Sequence, residues 1–150
     1  MDKILIQPDD FDLTTEVKLA KANNSSIGAV VSFVGTVRDL QPKSLSSMTL
    51  EHYPGMTEKS LESIVKKARD KWDIGNVTII QRIWTLNVND QIVLVITISK
   101  HRQEAFDSCN FIMDFLKTDA PFWKKEVTEN NEEWVGARTK DEKQKKRWKS

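Results

Sequence analysis

Cysteine occurs once in this chain of 150 residues and histidine only twice. A single cysteine, Cys109, excludes an intrachain disulfide, so the fold must rest on its core, as suits a reducing cytosol. Two histidines, His52 and His101, and one cysteine show no metal-ligand spacing, which argues against a zinc hydrolase. The five glycines form no GxGxxG, GxxxxGKS/T or GxSxG pattern. Dinucleotide-binding, P-loop and serine-hydrolase readings therefore fit poorly. Neither sign of charge dominates, with 23 Lys plus Arg against 22 Asp plus Glu. A general nucleic-acid binder would usually be basic. No apolar run is long enough to span a bilayer. The N-terminal MDKILIQPDDFDL lacks the basic region and long apolar stretch of a secretory signal.

What is present suits one α+β domain over residues 1–150, with a mixed or antiparallel sheet and packed helices. Lys3–Gln7 reads as a strand, Thr14–Lys21 as a short helix and Asn23–Ser26 as a turn. Gly28–Val37 is β-branched and aromatic, hence a strand, and Gly35 suggests a bulge or a close backbone approach. The polar Leu40–Ser47 reads as a mobile loop, followed by a strand over Met48–Tyr53 that Pro54-Gly55 stops. Thr57 suits the N-cap of a helix whose stripe is Leu61, Ile64, Val65, Ala68 and Trp72. Strands are expected over Val77–Trp84 and Gln91–Ser99, joined by a turn over Asn87–Asp90. The run IVLVITI in the second suggests burial on both faces. A helix then aligns Ala105, Cys109, Ile112 and Leu116, flanked by Phe106 and Met113, and Pro121 forbids its continuation. Glu133–Ala137 reads as a last short strand, and Lys140–Ser150 as a charged tail.

In so neutral a protein, the cations of Lys100–Glu126 stand out. Lys100, His101 and Arg102 sit where a buried strand gives way to a helix. There, free backbone N–H groups and cationic side chains can meet one anion, although a solvated basic turn has the same composition. Lys117 ends the helix, where a cation also stabilises the helix dipole by about 0.3–1 kcal/mol. Lys124 and Lys125 follow an Ala-Pro-Phe-Trp turn whose aromatics could wall a cleft. A lysine crowded by other cations gives up its proton more readily and can serve as nucleophile or base. Arg38 would join this group if its strand neighbours Gln91–Ser99. Cys109, in apolar SCNFIMDF, suits a core thiol better than a nucleophile, and His52 suits a strand residue with its hydrogen bond satisfied. The tryptophans suit core or interface.

Four segments in order, SFVGTVRD (Ser32–Asp39), LEHYPGMTEKSL (Leu50–Leu61), KHRQEAF (Lys100–Phe106) and FIMDFLKTDAPFWKKE (Phe111–Glu126), resemble the large, catalytic subunit of molybdopterin synthases. The resemblance runs from about Ile4 to Trp148. It implies an α/β hammerhead fold and a homodimer at the core of a heterotetramer, with a small ubiquitin-like subunit at each end. That subunit's Gly-Gly tail, as a thiocarboxylate, would deliver sulfur to cyclic pyranopterin monophosphate, and two transfers would make the dithiolene of molybdopterin. The resemblance implies no metal or other cofactor, no nucleic acid, no membrane and a cytoplasmic setting. It implies that Lys117 and Lys124 are the catalytic lysines. The charges suggest Lys117 as acid/base or as an amine that captures the tail's acyl carbon, with Lys124 orienting substrate and tuning Lys117. Arg38, His101 and Arg102 would contact phosphate and pterin. Thr36, Val37, Lys125 and Glu126 would line the same site, partly through backbone, and Arg138 would reach it across the dimer. On the residues alone, two other readings stay open: a phosphate- or nucleotide-binding module without covalent chemistry, and a scaffold that only grips a protein tail.

Overall fold

A computed structural model of the chain describes residues 1–39, 45–128 and 131–135. In chain order its elements are β1 (Lys3–Gln7), α1 (Leu13–Lys21), β2 (Ala29–Thr36), β3 (Leu45–His52), α2 (Met56–Lys71), β4 (Val77–Arg82), β5 (Trp84–Leu86), β6 (Gln91–Ser99), α3 (Arg102–Thr118), β7 (Phe122–Thr128) and β8 (Asn131–Val135). One sheet runs β1-β4-β6-β2 and the other β5-β3-β7-β8. Only β1 with β4 is parallel; the other pairs are antiparallel. This is the expected α+β class.

β6 is buried without interruption from Val93 to Ser99. Its pleat assigns alternate residues to two cores. Val93 and Val95 join Leu61, Ile64 and Val65 of α2 and Phe111 and Ile112 of α3. Leu94, Ile96 and Ile98 join Ile80, Phe11 and Ala20, with Leu13 and Val17 of α1 packed against them. Burying each such aliphatic side chain contributes about 1.5–3 kcal/mol. The predicted α2 stripe is correct from Leu61 to Ala68, and Trp72 caps the helix against Phe111.

A third cluster joins the two sheets. Val37, just past β2, packs with Met48 and Leu50 of β3 and Leu86 of β5. β2 slips register between Gly35 and Thr36, as the glycine suggested. A Cβ at Gly35 would press to 2.9 Å from Val93 Cγ1.

Five local expectations need correction. The strand expected over Val77–Trp84 ends at Arg82, and Trp84 takes φ 71°, which turns the chain into the second sheet. Leu45–Ser47, expected in a loop, belongs to β3 because it pairs with β7; residues 40–44 lie outside those described. Thr57 does not cap α2. Gly55 does, at φ 86°, and Glu58 Oε1 accepts from its N–H at 3.1 Å. Phe122 and Trp123, expected in a turn, begin β7 by pairing with His52 and Glu51. Phe106, expected beside the core, is 55% exposed. The last strand is Asn131–Val135, and Ala137 and the tail expected over Lys140–Ser150 lie outside the described residues.

Cys109 is buried beneath α3, and burial pushes its thiol up to about 12 despite a hydrogen bond with Thr97. At about pH 8 it should therefore resist a thiol reagent in the native protein and react fully in denaturant; fast native labelling would contradict this burial. Asp2 closes the opposite edge of the first sheet. Its carboxylate accepts from both Arg69 Nη atoms and from Val77 N, each at 2.8 Å. Burial raises its pKa, but the Arg69 and Val77 bonds together outweigh that and hold it below the ordinary 3.8. A depressed carboxylate pKa stabilises the fold above the unfolded value and loses that contribution as pH falls through the folded one. Asp2→Asn should lower Tm at about pH 7, and the gap to wild type should narrow as pH falls below the ordinary 3.8 toward the depressed folded value; a gap independent of pH would refute the linkage.

Candidate active site

The expected adjacency of Arg38's strand to β6 holds, but the pairing is antiparallel. Thr36 lies against Gln91, whereas Ala29 lies against Ser99. Arg38 therefore sits at the Gln91 end of the sheet. Lys100, His101 and Arg102 follow Ser99 and sit at the other end. Eight residue steps of strand separate these ends by about 27 Å. One chain does not bring Arg38 together with His101 and Arg102.

The His101–Arg102 end is firmly built. Ser99 Oγ donates to Asp73 O at 2.8 Å. Gly28 N donates to Ser99 O at 3.0 Å, and a Cβ on Gly28 would collide with the Lys100 carbonyl oxygen. His101 is the N-cap of α3 and makes no side-chain capping bond; His101 and Arg102 are both exposed.

α3 carries the chain back. Thr97 Oγ1 donates to Ala105 O at 2.7 Å, which docks its first turns on β6. Its 17 residues then span about 25 Å. That matches the strand beneath and returns Lys117, exposed in the last turn, to the Arg38 end. The helix stops where Asp119 N and Ala120 N both donate to Phe115 O, at 2.8 and 3.1 Å. Pro121 has no N–H to extend it.

β7 then presents Lys124. Register pairs Lys124 with Leu50 and Glu126 with Met48, both residues of the Val37 cluster. Lys124 and Glu126 thus share the inner face of the second sheet. Glu126 is buried, and its Oε1 lies 3.8 Å from Lys124 Nζ. Lys125 pairs with Thr49 and falls on the opposite face. The pleat thus separates two lysines that the sequence sets side by side.

The remaining expected site residues are mixed. Thr36 is exposed at the bulge. Val37 is only 2% exposed, its N–H donates to Asp90 O at 2.9 Å, and its carbonyl accepts from Asn89 N at 2.7 Å. It anchors Arg38 to the Asn87–Asp90 turn rather than offering a free donor. Arg38 is exposed. Arg138 lies outside the described residues.

The sequence placed His52 in a strand, correctly, but not at the site. Two positions from Leu50 and paired with Phe122, it stands on the Lys124 face of the sheet, partly buried. Its side chain makes no hydrogen bond among the described residues, contrary to expectation. The ordering LEHYP already held the signal: His52 and Leu50 share a face of any strand. An open cleft of about 510 Å³ between α2 and β1 is far from these residues. Its lining mixes Asp2, Glu62 and Asp70 with Lys66 and Arg69, and it has no focused charge.

Residues 6–119 match the family model described as MoaE protein. A molybdopterin synthase catalytic subunit of Ralstonia nicotianae is 52% identical over 149 residues, covering 99% of this chain and 85% of that one. The solved molybdopterin biosynthesis MoaE protein of Burkholderia ambifaria superposes with a TM-score of 0.85 at 53% identity, covering 99% and 98% of the two chains. A molybdopterin synthase structure from Staphylococcus aureus gives 0.80 at 29% identity, covering 90% and 96%. Fold, site order and these likenesses agree, and the chain belongs to the MoaE family.

Proposed function

We propose that this chain is the catalytic subunit of a molybdopterin synthase. It moves sulfur from the thiocarboxylated tail of a small ubiquitin-like subunit to cyclic pyranopterin monophosphate. Two transfers form the dithiolene of molybdopterin. The observation that supports the reading is the register that puts Arg38 just past Val37 at the Gln91 end of the first sheet and pairs Lys124 with Leu50, which packs on Val37. The length of α3 brings Lys117 back toward the same end. A phosphate ester and an anionic tail must meet there. At about 4 Å, two unit charges repel by about 4 kcal/mol at an effective dielectric of about 20. Fixed cations offset that repulsion before the reactants arrive.

Each residue has a part. Arg38, pinned through the Val37 backbone, forks onto phosphate. Lys124, held near Glu126, orients substrate and tunes Lys117. Lys117 moves the proton required as the cyclic phosphate opens. Thr36, exposed at the β2 bulge, borders the site. Lys117→Ala should abolish dithiolene formation while leaving the fold and small-subunit binding intact. Lys117→Arg and Lys124→Arg should fail as well, because arginine does not deprotonate. A binding module or tail-gripping scaffold predicts that these arginine variants still work. Normal turnover in any of the three would sink the assignment. Among the described residues, no helix is long and apolar enough to cross a membrane. A cytoplasmic setting suits a chain whose one cysteine is buried and reduced.

His101 and Arg102 require a second copy. β2 is an edge strand with Val30 and Phe33 over a third exposed, and α3 exposes Phe106 nearby. A two-fold dimer across this β2–α3 edge sets the His101–Arg102 end of one chain against the Arg38–Lys117 end of its partner. Lys117→Ala and Arg102→Ala chains, each inactive alone, should then complement when co-assembled. The mixture should regain about one quarter of wild-type activity, since about half the dimers are mixed and each holds one intact site. A mixture as inactive as its parts would place the whole site within one chain.

A further inference from the structure

Thr57 is fully buried, yet its hydroxyl does not cap the helix in which it sits. Thr57 Oγ1 accepts from Tyr53 N at 3.0 Å and donates to Pro121 O at 3.0 Å, across 64 residues of sequence. Pro121 lies in the corner between α3 and β7, after Lys117 and before Lys124. The same α2 approach grips β7 again, because the Tyr53 ring packs on Trp123 with centroids 4.5 Å apart. The corner's backbone is shaped by bonds from Asp119 N and Ala120 N to Phe115 O, and from Phe122 N to Ala120 O at 2.8 Å. β7 pairs with β3 from Phe122 onward. The Thr57 bond ties the carbonyl of the corner itself to the start of α2.

We infer that Thr57 is a positioning residue for sulfur transfer, its hydroxyl fixing the α3–β7 corner and with it the placement of Lys117 relative to Lys124. This rests on the role proposed above for the two lysines. Small errors in placing catalytic groups cost rate more than binding. A buried hydroxyl that merely fills space would be replaceable by an isosteric methyl.

The test compares Thr57→Val, Thr57→Ser and Thr57→Ala in the full chain, reconstituted with the thiocarboxylated small subunit and cyclic pyranopterin monophosphate. Circular dichroism at the assay temperature selects folded protein. The Ser and Ala variants differ only in the oxygen and give the same readout if the valine chain does not fold. Variants without the hydroxyl should lose at least tenfold in single-turnover rate. The half-saturating pterin concentration and small-subunit Kd should stay within twofold, and Thr57→Ser should recover most of the rate. A rate within twofold of wild type without the hydroxyl overturns the inference. So does a serine variant as slow as alanine, or a parallel loss of small-subunit binding. Wild-type chain that makes no dithiolene would instead overturn the proposed function.

Discussion

The antiparallel pairing of β6 with β2 is the constraint on which the other placements depend. β6 serves both main cores through alternate residues, so a one-residue slip of its register would exchange the side chains of the two cores and undo the packing of both. That fixed register puts the two cationic ends of the sheet a strand's length apart. α3 must begin at one end and, by its length, finish at the other. Two placements follow: Lys117 stands at the end where β7 begins, and His101 and Arg102 stand exposed at the other end.

Alternation works at shorter range in β7. Lys124 and Glu126 face the join between the sheets, while Lys125 faces away. A buried glutamate 3.8 Å from a lysine is a counterweight that offsets the cation's charge. The carboxylate also gives the lysine a defined resting geometry.

Local sequence carried a good deal of this. The apolar run of β6, the α2 stripe and the Asn87–Asp90 turn were legible because each is dictated by residues within a few positions. Trp84 was not: nothing in an aromatic residue after a β-branched run announces a positive φ and a change of sheet. β7 was obscured by Pro121, which marks the end of a helix equally well before a turn or a strand. Thr57 looked like a cap because threonine, a following acid and an apolar stripe are cap chemistry, while its actual partner lies 64 residues away. For the site, the cations and their order were visible in the linear chain. Their division between two ends was not, since strand direction is a long-range property.

The contact of Gly28 with Lys100 bears on timing. The absent side chain lets the backbone of β2 meet the Lys100 carbonyl, just before His101 and Arg102. The loop that displays these cations is thus clamped by a neighbouring strand rather than by whatever binds it. Its ordering entropy is spent when the protein folds, so nothing that later meets these side chains has to organise it.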